Sequence, residues 1–82
     1  MVEVFYNDSF LHVIHRIKDA NFRERVNKLI EKIVNDPEIG KPMRHERKGT
    51  REVYIGSFRL SYVFIPEQNR LVFLSIYHKD EQ

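Results

Sequence analysis

Two short turns in the C-terminal half of the chain determine how the strands around them pair, and this register constrains the fold more than any other feature. Gly56-Ser57 separates two runs in which apolar residues alternate. Glycine at the first position of a two-residue loop is typical of a type II′ hairpin. The predicted pairs across this turn are Ile55 with Phe58, Tyr54 with Arg59, Val53 with Leu60 and Glu52 with Ser61.

The second turn lies at Pro66-Glu67-Gln68-Asn69. A four-residue loop, or a two-residue loop centred on Glu67-Gln68, gives the same register. That register places Val63 opposite Val72 and Arg59 opposite Ile76. Because side chains alternate along a strand, one face of the sheet is predicted to collect Glu52, Tyr54, Arg59, Ser61, Val63, Leu74, Ile76 and His78. A slip of one residue would move an outer strand's side chains to the opposite face.

The opposite face is far more apolar and therefore needs a cover. It is predicted to carry Val53, Ile55, Phe58, Leu60, Tyr62, Phe64, Leu71, Phe73 and Tyr77. Residues 21–36 have the apolar spacing of an amphipathic helix, with Asn21 and Glu24 as a capping pair and a stop at Asp36-Pro37. A helix over 8–18 and a strand over 2–6 precede it.

These elements predict an α+β domain with the order β-α-α-β-β-β-β, covering residues 1–82. Two N-terminal helices pack on one face of a four- to five-stranded antiparallel sheet. Hydrophobic residues make up 41% of the chain, and cysteine is absent, which excludes disulfides and thiolate metal sites. No signal peptide or membrane-length apolar run is present, so we expect a cytoplasmic protein. His12 and His15 lie three apart without a third ligand, so we expect no metal and no cofactor.

Positive charge is concentrated in one segment of the chain. Residues 41–59 contain six cations and two acids, a net of +4, whereas the whole chain has a net charge of +2. A patch of this kind beside aromatic side chains suits a polyanion such as a nucleic acid. The alternative is a charged strand edge that prevents aggregation of sheets.

The residues also resemble a known family. The order of GKPMRHERKG, then REVYIGSFRLSYVF, then LSIYHKDEQ is similar to the RelE/ParE superfamily of toxins from bacterial and archaeal toxin-antitoxin pairs. The most specific parts are the Lys48-Gly49 turn, the hairpin arm over 56–62 and the His78-Lys79 pair. Gly40-Lys41-Pro42 and Tyr77-His78 resemble the YoeB branch in particular. The resemblance implies ribosome-dependent cleavage of mRNA and control by a tightly bound antitoxin.

Metal-free RNA cleavage by the neighbouring 2′-hydroxyl needs a base, a cation and an acid. Arg59 is the candidate cation, because a guanidinium binds phosphate oxygens bidentately and stays charged. His78 is the candidate general acid, since imidazole titrates near neutral pH. Lys79 either assists phosphate binding or replaces the arginine that many RelE-type toxins carry there.

The base is the point at which the chain departs from the family pattern. RelE-type toxins have lysines or arginines where this chain has Glu52 and Tyr54. Glu52 or Glu46 is the candidate base, and Glu52, the better placed, is alternatively an ion-pair partner of Arg59. Tyr54 either stacks on an RNA base or packs across the strands. The residues predicted to position RNA are Arg44, His45, Arg47 and Lys48.

Two further functions remain open. A ParE-like toxin would inhibit DNA gyrase by binding alone, and a degenerate member would retain only antitoxin binding. An antitoxin would dock on an unpaired strand edge or in the groove between helices and sheet. The predicted apolar residues on the catalytic face, Val63, Val72, Leu74 and Ile76, also favour a protein partner.

Overall fold

Two helices and five strands follow one another in the predicted order β-α-α-β-β-β-β. The computed structural model describes residues 1–44 and 49–81. The elements are β1 (Glu3–Tyr6), α1 (Asp8–Arg16), α2 (Ala20–Asn35), β2 (Lys41–Pro42), β3 (Arg51–Ile55), β4 (Phe58–Ile65) and β5 (Arg70–His78). Short 3₁₀ turns cover Pro66–Gln68 and Lys79–Glu81. No helix in the described part of the chain is long and apolar enough to cross a membrane.

The five strands form one sheet in the order β1-β5-β4-β3-β2. Three neighbouring pairs are antiparallel, but β1 runs parallel to β5, with Glu3 opposite Arg70. The sheet is therefore mixed, and the expectation of an entirely antiparallel sheet was wrong in this one pair. Strands joined by tight turns must be antiparallel. β1 is joined to the rest of the sheet through two helices, so this restriction does not apply to it.

The first turn confirms the predicted hairpin register. All four predicted pairs between β3 and β4 are present, from Ile55 opposite Phe58 to Glu52 opposite Ser61. Gly56 has a φ of 60°, and Ser57 does not share this positive φ, as a type II′ turn requires. Ile65 pairs with Arg70, so the second turn is the four-residue alternative, and Asn69 takes a left-handed φ of 51°.

A β-bulge in β5 breaks the predicted register of the last two strands. Val63 faces Val72 as predicted, but Tyr62 faces Phe73 while Ser61 faces Ser75, so Leu74 has no counterpart on β4. A bulge leaves the ladder locally unpaired, and here the Ser9 hydroxyl of α1 donates to the Leu74 carbonyl at 2.8 Å. Beyond the bulge, every side chain of β5 lies on the face opposite to the one predicted.

The core between the helices and the sheet reflects this shift. Ile76, predicted on the other face, is only 5% exposed and packs in the core, whereas Tyr77 leaves the core face. The fully or nearly buried core residues are Phe10, Val26, Ile33, Ile55, Leu60, Tyr62, Leu71, Phe73 and Ile76. The remaining predicted core residues of the sheet, Val53, Phe58 and Phe64, pack against this cluster.

The start of α2 differs from the predicted capping pair. Asp19, rather than Asn21, is the N-cap, and its Oδ1 accepts hydrogen bonds from the backbone N–H groups of Asn21 at 2.9 Å and Phe22 at 3.3 Å. A carboxylate at this position satisfies amides that have no partner within the helix. The helix ends at Asn35, directly before the predicted stop at Asp36-Pro37.

Candidate functional site

The hairpin of β3 and β4 brings Arg59 and Tyr54 together on the face that the helices do not cover, which we call the outer face. The Arg59 Cζ atom lies 3.9 Å from the centroid of the Tyr54 ring, a cation–π geometry. Arg59 Nη1 also donates to the Phe58 carbonyl at 3.1 Å. Tyr54 is 61% exposed, so the pair presents an aromatic ring and a fixed positive charge to solvent. The predicted placement of these two residues on one face is confirmed.

Glu52 lies on the same face but is not a surface carboxylate. It is only 3% exposed, and its Oε2 accepts a hydrogen bond from the hydroxyl of Tyr77. Burial of a carboxylate is costly unless polar groups bind it. The prediction of the face on which Glu52 lies was correct. Alternation of side chains along the strand does not indicate how deeply this residue is buried.

His78 does not lie beside Arg59, and this part of the predicted site was wrong. Because of the bulge, Tyr77 is the residue opposite Arg59, and His78 is opposite Phe58 on the helix side. The rings of His78 and Phe58 meet edge to face, with centroids 5.3 Å apart at 87°. His78 Nδ1 accepts the backbone N–H of Asp80 at 3.2 Å and lies 3.5 Å from the Asp80 carboxylate.

Two serines complete the polar part of the outer face. The hydroxyls of Ser61 and Ser75 are hydrogen bonded at 2.8 Å, on the residues directly opposite each other in β4 and β5. Ser61 is 8% exposed. Sequence reasoning missed Ser75 and Tyr77 because it placed the bulge residue inside the regular ladder.

Cations flank Tyr54 on two sides. On one side a depression is lined by Tyr54 with Lys41, Pro42, Met43 and Arg44. On the other side a second depression is lined by Tyr54, Ile55 and three cations of α2, Arg25, Lys28 and Lys32, together with Leu29. The α2 cations were not predicted as part of a site, although their spacing of three and four residues places them on one helix face. The predicted residues His45, Glu46, Arg47 and Lys48 lie outside the described residues.

The loop that leads into Lys41 of β2 is held by a buried phenol. The Tyr62 hydroxyl donates to the Pro37 carbonyl and accepts the Gly40 N–H, both at 2.8 Å. Arg51 Nη1 donates to the carbonyls of Glu38 at 3.0 Å and Gly40 at 2.8 Å. A Cβ on Gly40 would lie 2.6 Å from the Tyr62 hydroxyl, so only glycine fits here. Burial raises the pKa of Tyr62, which keeps its hydroxyl protonated.

Lys79 follows the end of β5 next to the first hairpin. Its backbone N–H donates to the Ser57 carbonyl at 2.9 Å, and its side chain is exposed.

Among residues 1–44 and 49–81, no three His, Asp or Glu side chains are grouped as metal ligands. Of the predicted site residues, the structure brings Glu52, Tyr54 and Arg59 together on the outer face.

Comparison with solved structures places this architecture in the RelE-like fold. A chain of the intact E. coli RelBE toxin-antitoxin complex matches with a TM-score of 0.79 at 16% identity, over 95% of this chain and 96% of the other. A chain of the RelBE2 toxin-antitoxin complex from Mycobacterium tuberculosis matches with a TM-score of 0.81 at 24% identity, over 94% and 96%. The YoeB/ParE toxin from Agrobacterium tumefaciens matches with a TM-score of 0.83 at 18% identity, over 94% and 98%. At these identities the likeness establishes the fold.

The family follows from the sequence itself. Residues 4–82 match the family model of the ParE toxin of the type II toxin-antitoxin system parDE. The chain therefore belongs to the ParE toxin family, within the RelE/ParE superfamily of type II toxin-antitoxin toxins. A search of curated proteins gives no match.

Proposed function

We propose that this toxin is a ribosome-dependent endoribonuclease that cleaves mRNA by attack of the neighbouring 2′-hydroxyl. The observation that carries the proposal is Arg59 held against the exposed ring of Tyr54. Single-stranded RNA is recognised by stacking of its bases on aromatic rings and by cations along its backbone. The outer face offers both within one hairpin.

The cations around Tyr54 supply the path for the RNA backbone. Lys41 and Arg44 lie on one side of the ring, and Arg25, Lys28 and Lys32 lie on the other. A base stacked on Tyr54 would thus have cations near the phosphates on both its flanks. His45, Arg47 and Lys48 remain predicted RNA-binding residues on sequence grounds.

The roles within the site differ from residue to residue. Arg59 stabilises the charge that develops on the scissile phosphate. Lys79, at the end of β5 beside the hairpin turn, adds a second cation for phosphate binding. His78 remains the candidate proton donor to the departing 5′-oxygen, but from its position it would act around the end of β5 rather than from the outer face.

An antitoxin is the proposed protein partner, and the cytoplasm is the proposed compartment, because ribosomes and mRNA are found there. The E. coli and M. tuberculosis structures that match this chain are toxin-antitoxin complexes. The groove between helices and sheet suits a docked segment of such a partner. Its lining combines the apolar Val13, Ile17, Phe22, Phe58 and Ile76 with the charged Arg16, Lys18 and Asp19.

Cleavage of mRNA on translating ribosomes, mapped by primer extension, tests the proposal. We expect cuts in the ribosomal A site with the wild-type protein. Arg59→Ala should lower the rate by about 10²- to 10³-fold, because a donor to the transition-state charge is lost. Lys18→Ala, which removes an exposed cation between the helices, is the matched control and should cleave at the wild-type rate. Wild-type protein that makes no A-site cuts would contradict the proposal.

A ParE-like inhibitor of DNA gyrase is the second candidate function. The match of residues 4–82 to the ParE toxin model favours it, as do the burial of Glu52 and the position of His78 on the helix side. A gyrase supercoiling assay separates the two, since inhibition without RNA cuts would support this candidate. If neither activity is found, but an antitoxin binds, the chain is a degenerate member.

A further inference from the structure

Tyr77 and Glu52 form a polar pair on the outer face. The predicted site included Glu52 but not Tyr77. Tyr77 lies directly opposite Arg59 in the ladder between β4 and β5. Its hydroxyl donates to the carboxylate of Glu52 on β3, two strands away. Residues directly opposite in a sheet have Cβ atoms about 4.5–5.5 Å apart, so the phenol stands next to the guanidinium side chain.

Burial of the Glu52 carboxylate costs folding free energy. A buried carboxylate loses its hydration, and an apolar residue at position 52 would avoid that cost. The bulge at Leu74 is what brings Tyr77 to this face. Bulges occur frequently next to active sites, where they redirect a side chain.

We propose that Tyr77 and Glu52 act as a proton relay that serves as the general base of RNA cleavage. This inference rests on the endoribonuclease function proposed above. At 3% exposure, Glu52 is too deep to contact a 2′-hydroxyl directly, whereas Tyr77 is only partly buried. The phenol therefore contacts the RNA, and the carboxylate behind it receives the proton.

The step balances without any further reactant. The 2′-oxygen forms a bond to phosphorus while its proton passes to the phenolic oxygen of Tyr77, and the phenol's own proton passes to Glu52. The bond from phosphorus to the 5′-oxygen breaks, and that oxygen takes a proton from a general acid or from water. The products are a 2′,3′-cyclic phosphate and a free 5′-hydroxyl. A neutral phenol alone is a poor base, so the carboxylate is essential to the relay.

Single-turnover cleavage on saturating ribosomes tests the relay. Tyr77→Phe removes the hydroxyl, and Glu52→Gln keeps the shape and the hydrogen-bond acceptor but accepts no proton. Each should lower the cleavage rate by about 10²- to 10⁴-fold, with ribosome binding unchanged. The double variant should be no slower than the slower single variant, because both remove the same step. Tyr6→Phe, on an exposed tyrosine of β1, is the control and should cleave normally.

A substrate with sulfur in place of the bridging 5′-oxygen separates a base from an acid. Sulfur leaves without a proton, so a variant that lacks the general acid recovers on this substrate. Tyr77→Phe should stay slow on it if Tyr77 belongs to the base. Recovery of Tyr77→Phe, or a wild-type rate of Tyr77→Phe on the normal substrate, would overturn the relay while leaving the proposed function standing.

The outcomes separate the relay from the function on which it depends. Wild-type protein without cleavage would overturn both. Circular dichroism establishes that each variant is folded. If Glu52→Gln does not fold, Tyr77→Phe alone decides, because removing one phenolic oxygen from a partly buried position leaves the packing in place.

Discussion

The hydroxyl of Tyr62 joins the loop before β2 to the centre of the sheet. The residue is fully buried, and its oxygen has partners on both Pro37 and Gly40. The FRLSY run predicted an inward-facing aromatic side chain here, which the structure confirms. The position of this loop, and of Lys41 directly after it, thus depends on one phenolic oxygen and on the absence of a Cβ at Gly40.

Tyr62→Phe should lower the free energy of unfolding by about 1–3 kcal/mol, because the Gly40 N–H and the Pro37 carbonyl lose their partner. The effect should depend on pH. Burial raises the pKa of Tyr62 above its ordinary 10.0, so the phenol ionises in the unfolded chain first. Its stabilising contribution is complete below pH 10 and declines as the pH rises through the folded-state pKa. Urea unfolding of both proteins at pH 8 and above pH 10 should show a narrowing difference; a constant difference would contradict this.

At the scale of single residues, the sequence predicted the Tyr54 and Arg59 pair but not the depth of Glu52. The hairpin turn determines which residues lie opposite each other, and glycine at position 56 identifies that turn. Burial of Glu52 depends on how the whole sheet and its neighbours cover the strand, which alternation along one strand does not report.

Among the elements, β5 is the strand whose predicted register with β4 was wrong. An extra residue within a strand leaves no compositional mark when it is as apolar as Leu74. One indirect signal existed, because the regular register put Ile76 on the outer face and Tyr77 in the core. The bulged register reverses this, burying the isoleucine and leaving the phenol beside polar groups. Consistency between register and polarity would thus have favoured a bulge in β5, between the second turn and Ile76.

The start of α2 can be tested directly. Asp19→Ala should destabilise the protein by about 1 kcal/mol, because the amides of Asn21 and Phe22 lose their acceptor. Asn21→Ala should be neutral or slightly stabilising, since alanine is the better helix former inside the first turn. Thermal or urea unfolding of the two variants checks this. A larger loss from Asn21→Ala than from Asp19→Ala would restore the capping pair predicted from the sequence.

For the whole molecule, the order of elements and the packing of helices on one sheet face followed from periodicity and turns. The parallel pairing of β1 with β5 did not, because no tight turn joins β1 directly to a neighbouring strand and so none fixes its direction. The distribution of charge is also a property of the whole molecule. Cations from α2 and from the segment at β2 meet around Tyr54 only after folding.

This convergence of charge predicts a salt-dependent affinity for single-stranded RNA. Each phosphate neutralised contributes about −0.7 to the slope of log K against log salt concentration. The double variant Lys41→Ala/Arg44→Ala should therefore make the slope shallower by about 1.4. Arg16→Ala/Lys18→Ala removes the same charge from the last residue of α1 and the segment after it, outside both depressions that Tyr54 lines, and should leave the slope unchanged. Fluorescence anisotropy across a salt series measures both, and equal slopes for the two variants would contradict a localised RNA path.

The position of β5 between β1 and β4 also determines when the sheet can form during synthesis of the protein. Among the described residues, β5 is the only strand that contacts both β1 and β4, and it is the last of the five in chain order. Until His78 has left the exit tunnel, the N-terminal strand has no partner in the sheet and Tyr77 cannot lie opposite Arg59. The outer face is therefore completed only after all five strands have emerged from the ribosome.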